Sequence, residues 1–415
     1  MPFDERVSQS LVGRAVALQQ PQLALSFVMA SFPCYFKATE SRVPMTWIDY
    51  ISQRHSKYSQ NVSCFDWAVR CMTTIYLGSL HNDARYMDEG RMCYLRSLRG
   101  LSIILSDPRA AKSDEALSTV IILGVFEMHA YTSIEGWKHH ARGLRTLMQL
   151  RGPGAHADGF GCNLYMACRN TIVTAALVSG EECFLEQPEW QQLNECLAAK
   201  NAKNANSSAL EDIAERAFRE VVKLPGFVKR LREMPGLAAS AQNHERPALL
   251  RKIVATRTAM KGIYTEFVIS ASTVRAGFAS YADFVGPIPH VFFHKFADLT
   301  IHGIRSGLLL LNYLVILLNP SQRPAAETEI LDIMGSMRSP RRPSLCEGRD
   351  NLSLLSSTVP PQSLGELSLM IESRLIPEAS QPPTSDWMDD IATSMGLEGV
   401  RISLVQSSSF QTIED

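Results

Sequence analysis

The residues best equipped for chemistry lie close together. His139 and His140, a set of basic side chains and a Gly-Pro-Gly ending all fall in "EGWKHHARGLRTLMQLRGPG", residues 135–154. A metal site on one helix needs ligands at i, i+3 or i, i+4, and adjacent histidines point to different sides. No H-E-x-x-H occurs elsewhere in the chain. A phosphate cradle is also excluded: "GPGAHA" follows a helical pattern rather than a strand, and Pro153 has no amide hydrogen to offer. The glycines and proline read instead as a helix stop, with Gly152 as the left-handed residue. Lys138, Arg142, Arg145 and Arg151 form a basic stripe suited to phosphates. Opposite them Trp137, His140, Ala141, Leu144, Leu147 and Met148 recur at helical spacing, which makes this an amphipathic helix packed on a bundle with a solvated basic side.

Other chemistries find less. Nine cysteines at 34, 64, 71, 93, 162, 168, 183, 196 and 346 include no C-x-x-C, and the closest pairs, Cys64/Cys71 and Cys162/Cys168, miss the spacing a structural zinc needs. Their apolar surroundings suit free thiols acting as small buried hydrophobes. No G-x-S-x-G elbow, Walker loop or dinucleotide-binding glycine pattern is present. Glu181/Glu182 and Asp389/Asp390 read as exposed helix-end carboxylates. The sequence therefore points to no catalytic residue, no cofactor and no metal. An all-α enzyme or small-molecule binder would have to assemble an interhelical pocket from residues such as His129, His139 or His290.

The elements that position these residues are helical. Apolar positions recur every three to four residues from about 8 to 335, with few alternating runs, which predicts an all-α multi-helix bundle. "RMCYLRSLRGLSIILSD" is expected to turn Met92, Leu95, Leu98, Leu101 and Leu105 to the core. Asp107-Pro108 reads as a cap and first-turn pair, and Ser113 with Asp114 and Glu115 opens an apolar helix ending near Tyr131. Gly180 closes another helix, and Pro225 interrupts a further one. "GLLLLNYLVILL" (307–318) is too short to span a bilayer and reads as a buried central helix. "QLALSFVMA" near the start has neither a clean basic flank nor a cleavage site, so secretion is not expected. Composition breaks after Pro320. The expected organisation is a helical lead-in (1–44), a helical domain (45–335), a Ser/Pro-rich linker with one short helix (336–384) and an acidic, apolar tail (385–415), the C-terminal region being partly disordered. Forty-one basic and forty-two acidic residues leave no global field to draw the chain to nucleic acid or an anionic membrane.

An ordered set of segments resembles the middle regulatory region of fungal Zn(2)-Cys(6) binuclear-cluster transcription factors. It comprises Tyr94 with Leu98, Leu101 and Leu105, then Glu115, Leu117 and Glu127 in "SDEALSTVIILGVFEMH", then Trp137-x-x-His140-x-x-Gly143, then Arg169 and Pro188-Glu189-Trp190. The likeness covers roughly 45–320. It implies a nuclear or shuttling regulator of a metabolic pathway, often a secondary-metabolite one. Such a regulator acts through protein partners, including a homo- or heterodimer with a zinc-cluster regulator, or through a small effector. The family's six-cysteine DNA-binding segment does not occur here, so direct DNA contact carries over to no residue, and no membrane role is implied. Tyr94, Glu127, Trp137, His140, Gly143, Arg169 and Trp190 are expected to be architectural. His140 would hydrogen-bond a neighbouring helix, Gly143 would admit a close helix, and Arg169 would pair with a carboxylate such as Glu127. A scaffold or adaptor using the linker and tail is the remaining alternative.

Overall fold

The computed structural model describes residues 50, 62–81, 84–130, 136–202, 209–281 and 288–337. The chain is all-α, and no strand occurs among the described residues. The expected lead-in (1–44), the expected linker beyond residue 337 with its predicted short helix, and the tail expected to be partly disordered lie outside them. The described residues fall into two compact units, dividing between Cys168 and Arg169.

The first unit is built from α1 (Cys64–His81), α2 (Ala84–Ser106), α3 (Asp114–Ala130), α4 (Gly136–Arg151) and the first half of α5 (Gly159–Ser179). Cross-contacts give the directions. Ser97 Oγ donates to the Cys64 carbonyl at 2.7 Å while Cys71 packs with Cys93, so α1 and α2 run antiparallel. Gly124 lies against His140, and Arg151 pairs with Asp114 at 2.5 Å, so α3 and α4 do as well. The α1–α2 approach is tight because a Cβ on Gly100 would stand 2.8 Å from Cys64 Cβ. Ser113 caps α3 as its sequence predicts, its Oγ accepting from Ala116 N at 3.2 Å.

The core face of α2 differs from the one expected. Tyr86, Gly90, Cys93, Ser97 and Leu101 are buried, whereas Met92, Leu95 and Leu105 are exposed. Close packing on α1 selects the small side chains, which turns the larger apolar ones to solvent. On α4 the expected apolar stripe holds: Trp137, Ala141, Leu144, Leu147 and Met148 are buried, with Arg142 exposed opposite. Arg151 departs from the solvated stripe. Its side chain is only 3% exposed, and it donates to Asp114 and, at 2.7 Å, to the Lys112 carbonyl. Gly152 then ends the helix with φ 73° and ψ 165°, an extended positive-φ region nearly confined to glycine rather than the left-handed helical one. Asp107 makes a turn, its Oδ1 accepting from Arg109 N at 2.9 Å, and does not start a helix.

The second unit contains the rest of α5, α6 (Pro188–Ala202), α7 (Ala209–Val221), α8 (Leu224–Glu233), α9 (Ala239–Tyr281), α10 (Ile288–Leu318) and α11 (Arg323–Met337). Its core forms around the 307–318 run as expected, with Leu308 to Leu311, Tyr313, Leu314 and Val315 buried against Phe227, Ile253, Met260 and Phe267. No helix among the described residues is long and apolar enough to cross a membrane. Arg246 donates to the Leu317 and Leu318 carbonyls, capping α10 and aligning it antiparallel to α9. The break before Pro225 separates α7 from α8, and the proline sits in the first turn of α8.

α5 ends in a Schellman motif. Gly180 at φ 67° sends its amide to the Leu177 carbonyl, and Glu181 N reaches the Ala176 carbonyl.

Candidate functional site

Three of the positions singled out in the sequence meet in the first unit. Tyr94 from α2, Glu127 from α3 and His140 from α4 form one cluster: the Tyr94 hydroxyl lies 3.0 Å from His140 Nε2, in hydrogen-bond contact, and is near enough to the Glu127 carboxylate to be acted on by it. His140 is brought to this point by the helical period, which turns it inward with Trp137, Ala141 and Leu144, while His139 points to solvent.

The surroundings are apolar and thiol-rich. The Tyr94 ring stacks on Phe126 with centroids 4.6 Å apart, and Phe126 packs with Cys71 and Cys93. Glu127 is buried. Burial, then nearby Glu127, raises the Tyr94 hydroxyl well above the usual phenol range. Burial also lifts the Cys71 thiol, with Cys93 and Glu127 adding to it. Cys93 is pushed up to about 11 by burial, against the pull of Arg70 and Arg96. His140 is lowered by burial, which outweighs nearby Glu127. At neutral pH the thiols and phenol therefore keep their protons and the imidazole is neutral. Such a cluster hydrogen-bonds and packs; it offers neither a thiolate nor a phenolate for attack.

The other expected positions go elsewhere. Arg169 does not pair with Glu127. It makes a bidentate ion pair with Glu215 of α7, at 2.6 and 2.7 Å, with the two side chains 10% and 11% exposed. Its guanidinium lies 4.2 Å from the Phe218 ring centroid, one turn beyond Glu215. A partner 46 residues downstream was not visible in the local pattern of α5. Trp190, in the first turn of α6, is buried edge-on against Phe184 at 5.1 Å. Gly143 admits no close helix, since a Cβ there would meet only Val120 Cγ1 at 4.0 Å. The close approach falls at Gly124, where a Cβ would be 3.4 Å from His140 Cβ.

Two features escaped sequence reasoning. His156 is fully buried, with Nδ1 2.9 Å from the Gly161 carbonyl. The other is a Trp67 ring approached by two guanidinium carbons, Arg70 at 4.6 Å and Arg96 at 4.5 Å. The only local signal for it was the i, i+3 spacing of Trp67 and Arg70. Among the described residues no three His, Cys, Asp or Glu side chains come together in a way that could hold a metal ion.

No protein-family model matches the chain, and no solved structure does. The chain is 46% identical over 405 residues to "Uncharacterized protein AN5342" of Emericella nidulans, an alignment covering 98% of this chain and 85% of that protein. Identity at this level over nearly the whole length implies a shared fold. The chain thus belongs to the same family as this Emericella nidulans protein.

Proposed function

We propose that this protein regulates transcription of a metabolic pathway, a secondary-metabolite one by the resemblance, working in the nucleus through protein partners. One observation carries the reading. Tyr94, Glu127 and His140, positions of the regulatory-region resemblance separated by up to 46 residues, meet where α2, α3 and α4 pack, with Tyr94 and His140 hydrogen-bonded. The relative is a fungal protein of uncharacterized function and the chain is all-α, as the resemblance implies of its fold, while no family model matches it. The protonated state of the cluster suits an architectural part better than a catalytic one. Direct DNA contact is assigned to no residue of the sequence described here, and a zinc-cluster regulator is the partner the reading names.

The experiment is to tether the chain to a heterologous DNA-binding domain upstream of a reporter and to follow a fluorescent fusion in the cell. A change in reporter output of either sign, with nuclear signal, supports the proposal. A chain that is expressed and folded yet leaves the reporter unchanged and stays out of the nucleus overturns it.

A further inference from the structure

Close packing of α2 on α1 leaves a face of α2 with no described element over its large apolar side chains. Met92, Leu95 and Ile103 are 51%, 47% and 73% exposed. At 100° per residue they fall on one side of the helix together with Arg96 and Arg99, over roughly three turns. Among the described residues no carboxylate pairs with Arg96, Arg99 or the neighbouring Arg70. Arg91, at the edge of the face, is engaged by Asp88. Arg96 is held over Trp67 beside Arg70, so two guanidinium groups converge on one ring; Asp66 acts on Arg70, while no described carboxylate forms an ion pair with Arg96 or Arg99. Three large apolar groups interleaved with unneutralised arginines match the surface of a segment that is both acidic and apolar.

The chain carries such a segment in "SDWMDDIATSMG", residues 385–396. Helical spacing would set Trp387, Met388, Ile391 and Met395 on one side, with Asp390 and Asp386 at its edge next to Trp387 and Asp389 on the far side. The stretch between Met337 and residue 385 is long enough to deliver it. At roughly 3.3 Å per residue that stretch reaches well over 100 Å, more than the width of a compact chain of this size.

We propose that the segment 385–396 docks on the Met92–Ile103 face of α2 in the same molecule, the apolar row from Trp387 to Met395 covering Met92, Leu95 and Ile103 while Asp386 and Asp390, at the edge of that row, answer Arg96 and Arg99. Linkage through the same chain raises the effective concentration of the segment to the millimolar order, so a weak contact suffices to keep it bound. The face is then covered by the chain itself and becomes available to another acidic, apolar partner only by displacement. This inference stands apart from the transcription reading, because it rests on the face and the segment alone.

The test uses the full chain. Amide hydrogen exchange across 385–396 is compared between the wild type and a variant carrying R96E and R99E. Docking predicts exchange roughly ten-fold or more slower in the wild type. Adding D386R and D390R to that variant should restore the slow exchange. Both arginines are exposed, so the urea midpoint serves as a control for folding and should barely move. Equal exchange of 385–396 in wild type and R96E/R99E overturns the proposal. Protection that disappears on dilution, with sedimentation showing a dimer, also overturns it by assigning the face to a second copy.

Discussion

At the residue scale, the behaviour of the buried polar groups follows from what they can exchange protons and hydrogen bonds with. Tyr94→Phe keeps the ring on Phe126 but removes the hydroxyl bonded to His140. Losing the hydrogen bond to His140 costs about 0.5–1.5 kcal/mol, so the urea midpoint should fall. No change would mean the cluster is not a coupled network. Arg169 and Glu215 behave as a pair: Arg169→Met alone should cost about 3–5 kcal/mol, and the R169M/E215M double variant should recover much of it. In the same cycle Glu127→Gln should add to Arg169→Met independently, because Arg169 is bonded to Glu215. His156 makes stability depend on pH. Burial, opposed by the Gly161 carbonyl and helped by Arg151, lowers its pKa to about 4 from an ordinary value of 6.5. The unfolded chain takes up the proton first, so this contribution is complete above the unfolded pKa and is lost as pH falls toward the folded one. It amounts to at most roughly 3 kcal/mol. His156→Gln should flatten urea stability between those two values, and an unaltered pH profile would contradict the burial argument.

At the element scale, the spacing between helices decides which glycines matter. Gly100 packs on α1 so closely that a Cβ would press on Cys64 Cβ at 2.8 Å and Cys64 Cα at 3.3 Å. Gly100→Ala should destabilise by about 1–3 kcal/mol, since the obstruction includes backbone that cannot rotate away. Gly143→Ala should be neutral or stabilising by up to about 1 kcal/mol, because there is room at 4.0 Å and alanine is the better helix former. Thermal melts of the two variants should therefore move differently, and equal losses would mean that Gly143 has a packing role not visible in the helix spacing. The same geometry explains α2. Its apolar periodicity was real, yet large side chains could not face a helix that approaches at Gly100 and Ser97.

At the scale of the whole molecule, 46% hydrophobic content is distributed over two compact units, each with its own buried residues, and α5 contributes to both. Asn170, exposed in the middle of that helix, offers a clean probe of its backbone. Asn170→Pro should cost about 3 kcal/mol or more by removing a backbone hydrogen bond and crowding the preceding turn, whereas Asn170→Ala should leave stability near the wild type. Denaturation of the pair would separate backbone continuity from side-chain contacts, and a proline variant as stable as the alanine one would show that the helix is dispensable there. The near-neutral net charge conceals local asymmetry, since the arginines of α2 and the aspartates of 385–396 are far apart in sequence.

The sequence alone determined the helical class, the caps and stops at Ser113, Gly152, Gly180 and Pro225, the buried 307–318 run and the inward stripe of α4. These are set by periodicity and backbone preference, which act within a few residues. It also singled out Tyr94, Glu127 and His140. Their meeting, the partner of Arg169, the burial of Arg151 and the outward turn of Met92 and Leu95 were decided only by tertiary structure. Each depends on which surfaces fit closely between elements dozens of residues apart, and that fit is a property of packed volumes and paired charges that no local pattern encodes.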